Sequence, residues 1–436
     1  MDNSSYNFLK DKDILIWGAG IQGRGILQTL ENKGFSVKAF VDTHAESVKT
    51  NPLIKMYPVY SPAQLDEVRR NYLSPAIIIA TVYSQERIID ICKSAGFIEE
   101  TEIIRLDKLT SFTYEVDISG VCNLRCISCP QGQTYKNKRP TGFMSASTFE
   151  RVVDKIKVED PSATSVLLFK WGEPLLNKEL PEIITIAREK GLASYISTNL
   201  NPKADLDSII KAKPTCFRIS LSGFGPRYEV THTGGKFAAV CENLNKLYEV
   251  INKYNSNLKI QVFYHLYKDN RGEDLKKARE FCASRGFELQ TIWASVISLE
   301  DLKIYKETGY LPEAAQKAAD LMEMDLDLLL LEAKAQAHKK CQLENMISIN
   351  WDLSVLTCGF YYSHPENIVV DNFLEISLSD LMALKKKAKI CIPCKQNGFH
   401  TFCDLITNFP PDNLPDNLIN PSKIQTTDST IPRVSL

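Results

Sequence analysis

From Phe112 onward the sequence repeats one pattern, a short apolar run followed by a helical one, and this rhythm restricts the fold more than any other feature of the chain. The apolar runs are "FTYEVDIS", "SVLLFKW", "ASYISTN", "CFRISLS", "LKIQVFYHLY" and "ELQTIWASVI". Between them lie "STFERVVDKIK", "ELPEIITIAREKG", "FAAVCENLNKLYEVINKY" and "DLKKAREFCASRG", with apolar residues at helical spacing. Six such units predict a partial (β/α) barrel over residues 111–300, with functional groups at the carboxyl ends of the strands.

An earlier α/β series occupies residues 1–110. "DILIWGAGIQGRG" ends an apolar run in a glycine-rich turn, and "FSVKAFVD", "SPAIIIATV" and "SQERIIDICKSAG" continue the alternation. After residue 300 the pattern reads as helix through "AAQKAADLMEMDLDLLLLEAKAQAHKK". "MISINWDLSVLTC" then alternates with period two around a turn at Trp351-Asp352, a hairpin signature. Residues 301–408 are thus a helical linker and a small cysteine-rich unit. Residues 409–436, rich in Pro, Asn and Ser, read as a disordered tail.

The formal net charge is −1 and no basic run stands out, which argues against nucleic acid as a partner. No apolar stretch approaches the roughly 20 residues of a membrane helix, and the first residues lack a signal-peptide core. The expectation is a cytoplasmic protein, where clustered cysteines signal metal or catalysis rather than disulfides.

Cys122, Cys126 and Cys129 lie in eight residues directly after the first barrel strand. Three thiolates this close can cap three corners of an iron–sulfur cubane, leaving one corner for chemistry. Zinc would want a fourth ligand. Cys341 and Cys358 bracket the hairpin, and Cys391-x2-Cys394 follows a helical stretch. These four could close a cluster or a zinc knuckle, with Cys403 a spare thiol or a replacement ligand. Cys92, Cys216, Cys241 and Cys282 stand alone among apolar neighbours and read as core.

Gly18, Gly20 and Gly23 form G-x-G-x-x-G between a strand and a helix, and Asp42 ends the next strand. Such glycines let the backbone approach a phosphate, and such an acid accepts from ribose hydroxyls. A nucleotide is therefore the expected ligand; a domain kept for packing or dimerisation is the alternative. "GAG", "VDTH" and "IIIAT" also resemble segments of the small Rossmann-like domains of sugar-modifying proteins.

The C-x3-C-x2-C loop resembles the signature of the radical S-adenosylmethionine (radical SAM) superfamily, and further segments follow in that family's order. Trp171, Gly172, Glu173 and Pro174 look like its GGEP element, which receives the methionyl ammonium. Ser197 and Asn199 resemble the segment near the methionyl carboxylate and ribose, and Ser220 falls in another common contact region. Two residues depart from the pattern: Ser128 stands where an aromatic often precedes the third cysteine, and Trp171 replaces a glycine. The spacing of Cys341, Cys358, Cys391 and Cys394 resembles the twitch extension, the shorter relative of the SPASM extension, which holds one auxiliary 4Fe–4S cluster.

The resemblance implies 5′-deoxyadenosyl radical chemistry, a SAM-binding 4Fe–4S cluster, an auxiliary cluster and an electron donor such as flavodoxin or ferredoxin. With the Rossmann-like segment it points to oxidation of a sugar or sugar nucleotide, an oxidoreductase acting on a small or nucleotide-linked substrate. A ribosomal-peptide-modifying enzyme and a zinc-bound scaffold are the alternatives. No catalytic base is assigned: His232, His265, Lys170, Arg218, Tyr264 and Tyr362 read as ordinary core or solvated residues. Lys385 to Lys387 read as a solvated helix face.

Overall fold

Successive strand residues point to opposite faces of a sheet, so its two faces can differ in chemistry. The computed structural model describes residues 4–49, 54, 56–81, 84–132, 140–254, 256, 258–296, 298–362, 366–402 and 405–406. Cys403 and the expected tail at 409–436 lie outside the described residues.

The first sheet comprises β1 (Asp13–Trp17), β2 (Val37–Val41), β3 (Val59–Tyr60), β4 (Pro75–Ile79) and β5 (Ile103–Ile104). All its pairings are parallel and the order is β3-β2-β1-β4-β5. β1 and β4 are buried nearly throughout, which is why they read as continuous apolar runs. Helix α1 (Ile21–Asn32) leaves the glycine-rich turn after β1.

The second sheet contains β6 (Thr113–Asp117), β7 (Ser165–Leu167), β8 (Ala193–Thr198), β9 (Cys216–Ser220), β10 (Lys259–Leu266) and β11 (Glu288–Trp293), parallel and in sequence order. One face carries Val116, Val166, Ile196, Phe217, Ile219 and Val262. It is covered by the helices at Ala146–Glu159, Leu180–Glu189 and Phe237–Lys253. The registers set Glu115 beside Leu167, Leu167 beside Tyr195, Ser197 beside Arg218 and Arg218 beside Gln261, all on the opposite face. That face is far more polar than the helix-covered one.

The expected hairpin forms, as β12 (Met346–Asn350) and β13 (Val355–Leu356). Sequence reading did not anticipate its place: β12 pairs parallel with β6, and β14 (Ile368–Val370) adds beyond β13, so the C-terminal unit extends the second sheet to nine strands. The long helix expected over 300–340 is three helices, Leu299–Thr308, Glu313–Ala319 and Leu326–Ala335. Gly309, in the left-handed region, ends the first. Pro312 opens the second, and the Asp325 side chain caps the third by accepting from Leu328 N.

The two sheets meet at one end. Lys259 Nζ and Arg24 Nε both donate to Ala19 O in the glycine-rich turn, at 3.2 and 3.1 Å. Gln22 bonds Ser165 and Thr113, and Gly25 packs against Thr164. Helix α1 therefore sits beneath the amino ends of β6 to β10, leaving their carboxyl ends for a site.

Candidate functional site

The loop after β6 carries Cys122, Cys126 and Cys129, each partly buried and none in a disulfide. Main-chain bonds hold it: Arg125 N donates to Thr233 O at 2.9 Å and Ile127 N to Thr231 O at 3.3 Å. Burial pushes the Cys122 thiol up to about 12, with Glu173 and Cys129 adding to the rise. Cys126 is raised well above the ordinary range by burial, then by the charges of Cys129 and Cys122. Three mutually repelling, poorly hydrated thiolates are unfavourable unless a shared cationic centre neutralises them.

Behind the loop, the expected cofactor contacts come together at the ends of β7 and β8. Glu173 N donates to Val121 O at 2.8 Å, and a Cβ on Gly172 would lie 1.7 Å from Ser119 O, so only glycine allows this approach. The Glu173 carboxylate accepts from Leu175 N, Thr198 Oγ1 and Asn199 N at 3.0, 2.7 and 2.8 Å. Burial raises it to about 7 despite these donors. Its evident work is to tie strand ends together. Pro174 opens the following 3-10 turn. Asn199 reaches back to Asn123 Oδ1 at 3.0 Å and Cys122 Sγ at 3.8 Å. Ser197 accepts from Arg218, and Ser220 ends β9. Trp171 N donates to Asp117, and its ring stands edge-on to Tyr362, 5.5 Å between centroids. Beside Ser128, where an aromatic was expected, the Tyr267 hydroxyl donates to the serine at 3.2 Å, so β10's end brings a ring to that position.

The four C-terminal cysteines also converge. Cys341, Cys358, Cys391 and Cys394 line one cavity of about 110 Å³, several times the roughly 10–15 Å³ that one water needs. Burial raises Cys394, and Cys358, Cys341 and Cys391 raise it further. Burial takes Cys341 to about 12, with Cys358 and Cys391 contributing. Opposing this, the backbone N–H groups of Leu343, Phe360 and His400 favour thiolates at Cys341, Cys358 and Cys394. Asn367 fixes the Cys358 backbone, accepting from its N at 3.1 Å and donating to its O at 2.9 Å.

Lys385 corrects the solvated-face reading. Its helix, Leu378–Lys386, buries Leu378, Leu381, Met382 and Lys385, the spacing of one helix face, and Lys385 Nζ donates to Met346 O beside the thiols. Burial lowers the lysine, while Cys358, Cys341 and Cys391 favour its charge. Sequence reasoning also missed Glu115 and Ser348, which with Lys170 bridge the two regions: Lys170 Nζ lies 3.1 Å from Glu115 Oε1, and Ser348 Oγ donates to Oε2 at 2.7 Å.

Among the described residues no three His, Cys, Asp or Glu side chains close around a single metal ion. Cubane ligands stand further apart than ligands of one ion, and both thiol sets, with their N–H donors and the C-terminal cavity, have chemistry suited to such clusters.

His232 is buried and His265 partly buried beyond the cysteine loop. Burial and then Arg218 lower His265 to about 4; burial and then His265 lower His232 to about 3. Ser222 Oγ lies 2.9 Å from His265 Nδ1, and His232 stacks on Tyr228 at 4.4 Å.

The expected nucleotide residues lie at the other end of the molecule. A Cβ on Gly23 would stand 1.9 Å from Gly18 O, and one on Gly20 would meet nothing within 4 Å. The Asp42 carboxylate accepts from Ala19 N at 2.9 Å and His44 N at 2.8 Å. The turn and its acid are thus bonded to each other.

Residues 116–282 match the family described as the Radical SAM superfamily. This segment is a radical SAM domain. Domains of this family hold a 4Fe–4S cluster and SAM. Among curated proteins, Fe-coproporphyrin III synthase of Methanosarcina barkeri is 36% identical over 80 residues, 18% of each chain. GTP 3′,8-cyclase of Vibrio atlanticus is 26% identical over 182 residues, 41% of this chain and 52% of that protein. The chain thus spans about half the length, or less, of these relatives. Among solved structures, SuiB of Streptococcus suis bound to precursor peptide SuiA has a TM-score of 0.44 at 15% identity, covering 73% of this chain and 75% of that one. BtrN in complex with AdoMet and 2-DOIA has a TM-score of 0.38 at 15% identity, covering 68% and 91%. No helix among the described residues is long and apolar enough to cross a membrane.

Proposed function

We propose that the chain is a radical SAM oxidoreductase with two 4Fe–4S clusters, acting on a hydroxyl-bearing carbon of a sugar or sugar nucleotide. Cys122, Cys126 and Cys129 hold the cluster that takes SAM, and Cys341, Cys358, Cys391 and Cys394 hold an auxiliary, twitch-like cluster. The observation that carries this reading is the parallel pairing of β12 with β6, which hangs both cysteine sets on one sheet. In this reading residues 111–300 are a partial barrel and 301–408 the linker and auxiliary unit. The parallel order β3-β2-β1-β4-β5 supports a Rossmann-like domain over residues 1–110.

When bound, the SAM-binding cluster with SAM supplies hydrogen-atom abstraction, and the auxiliary cluster an electron sink. The chain's own residues hold and orient. The Gly172 backbone, Ser197, Asn199 and Ser220 line the cofactor end, Tyr267 walls it beside Ser128, and Trp171 with Tyr362 limits water. Oxidising an alcohol also requires a base for the hydroxyl proton. His265 is that base: it is neutral well above about pH 4, and Ser222 holds its Nδ1 side. A flavodoxin or ferredoxin serves as electron donor.

Anaerobic incubation of the reconstituted chain with SAM and dithionite should release 5′-deoxyadenosine. Absence of release with iron and sulfide intact would sink the proposal. Titrating the full chain with nucleotide sugars, NAD and peptides tests the substrate class; binding of peptide alone would overturn the sugar reading.

A further inference from the structure

Among the described residues, the polar face of the second sheet carries a cation that its neighbours do not neutralise. Lys170 is matched by Glu115 at 3.1 Å and Lys259 by Glu288 at 2.7 Å. Arg218, on β9 between these pairs, has no carboxylate within ion-pair distance among the described residues, although it is only partly exposed. Its Nε donates to Ser197 Oγ at 2.9 Å, and the Tyr195 hydroxyl lies against it. The guanidinium carbon stands 4.8 Å from the Phe169 ring centre, 4.7 Å from Phe263 and 5.7 Å from Tyr195.

Aromatic faces lower the cost of holding a cation away from water, and they fix the plane of the fork. They do not use up the in-plane N–H donors, of which a guanidinium has five. A fixed, uncompensated fork of this kind matches a carboxylate or phosphate group. Arg218 lies two residues before Ser220 and four before Ser222, deeper in the face than the strand ends that carry the expected SAM contacts. Its charge reaches His265, and the Phe263 and His265 rings are 5.1 Å apart.

We infer that Arg218 seats an oxyanion of the substrate, a carboxylate or phosphate, next to His265. This rests on reading the polar face as the substrate face, but its test needs no turnover. Binding of inorganic pyrophosphate and of succinate to the reconstituted full chain is measured for wild type, R218Q and R218K, alongside SAM binding. One probe should bind wild type and weaken roughly tenfold to a hundredfold in R218Q, with partial retention in R218K and SAM affinity unchanged. The affected probe tells phosphate from carboxylate.

Equal binding of both probes to wild type and R218Q would overturn the inference. So would a parallel loss of SAM affinity, which would assign Arg218 to the cofactor's own carboxylate. Should R218Q fail to fold, phenylglyoxal labelling of wild type decides: protection of Arg218 by either probe supports the site, and protection by neither removes it. Oxyanion binding without 5′-deoxyadenosine release would instead fault the proposed function and leave this site standing.

Discussion

Replacing Gly172 by alanine tests whether the ends of β6 and β7 are set by contact. The new methyl carbon would lie 1.7 Å from Ser119 O, 2.6 Å from Ser119 C and 3.0 Å from Val121 O. Accommodating it requires the two backbone segments to part by more than an ångström, and the bond from Glu173 N to Val121 O lies in the way. Overpacking costs about 1–3 kcal/mol and the lost bond about 0.5–1.5 kcal/mol, so G172A should lose roughly 2–4 kcal/mol. The melting temperature should fall by about 2–4 °C. Cys122 begins the loop that moves, so iron incorporation should fall as well. Differential scanning calorimetry of the apo chain and iron and sulfide analysis after anaerobic reconstitution read the two effects. The matched control is G20A, whose methyl group meets nothing within 4 Å and which should melt like wild type. Equal melting and equal iron content for G172A and wild type would refute the reasoning.

Replacing Cys341 and Cys358 together by alanine should reduce iron from about eight to about four per chain while the Cys122, Cys126 and Cys129 cluster keeps its SAM-dependent EPR signal; loss of all iron, or zinc in its place, would contradict the two-cluster assignment. K385M removes a buried cation beside the C-terminal thiols and should lower that cluster's midpoint potential in an EPR-monitored redox titration, leaving the SAM-binding cluster's potential unchanged. His232 and His265 are held below their unfolded value, so the unfolded chain binds more protons between about pH 6.5 and about pH 3. Their stabilising contribution is therefore complete above pH 6.5 and is lost as pH falls through that window. For His265 alone the shift is worth about 3 kcal/mol. Denaturant titrations of the apo chain at pH 7 and pH 5 should show a smaller acid loss in H265N than in wild type, and identical losses would remove the linkage.

The period-two and helical patterns made the six parallel strands legible, because each strand buries one face under helices. Short apolar runs could not reveal where β12 pairs: Ile347 and Ile349 fit a hairpin as well as they fit a sheet edge, and the partner β6 lies more than two hundred residues earlier. The helix breaks at Gly309 and Pro312 were written in the sequence but were outweighed by the leucine-rich pattern after them. The cysteine spacings were readable because several thiols a few residues apart in one loop have few uses other than holding a metal group. Lys385 was hidden in a run of three lysines, although its spacing from Leu378, Leu381 and Met382 is the signal that could have marked it as buried. Arg218 and His265 gave no signal beyond strand parity, since only the registers of β8, β9 and β10 bring them beside Ser197 and Phe263.

The placement of α1 gives the polar face its direction. Gln22 and Ala19 occupy the amino end of the second sheet through Ser165, Thr113 and Lys259, and Gly25 packs on Thr164 there. In the proposed reading, a substrate reaches Arg218 from the carboxyl end, on the side of Trp171, Tyr362 and the two thiol sets. Charged residues on a sheet face are destabilising unless paired, and this face pairs Lys170 and Lys259 but leaves Arg218 to aromatic rings. On β9 the flanking positions, Phe217 and Ile219, face the helix-covered side and are apolar, whereas the polar-face position between them holds a cation. The exception is confined to the face that the closed amino end and the cysteine loops enclose, which is where a binding role accounts for its cost.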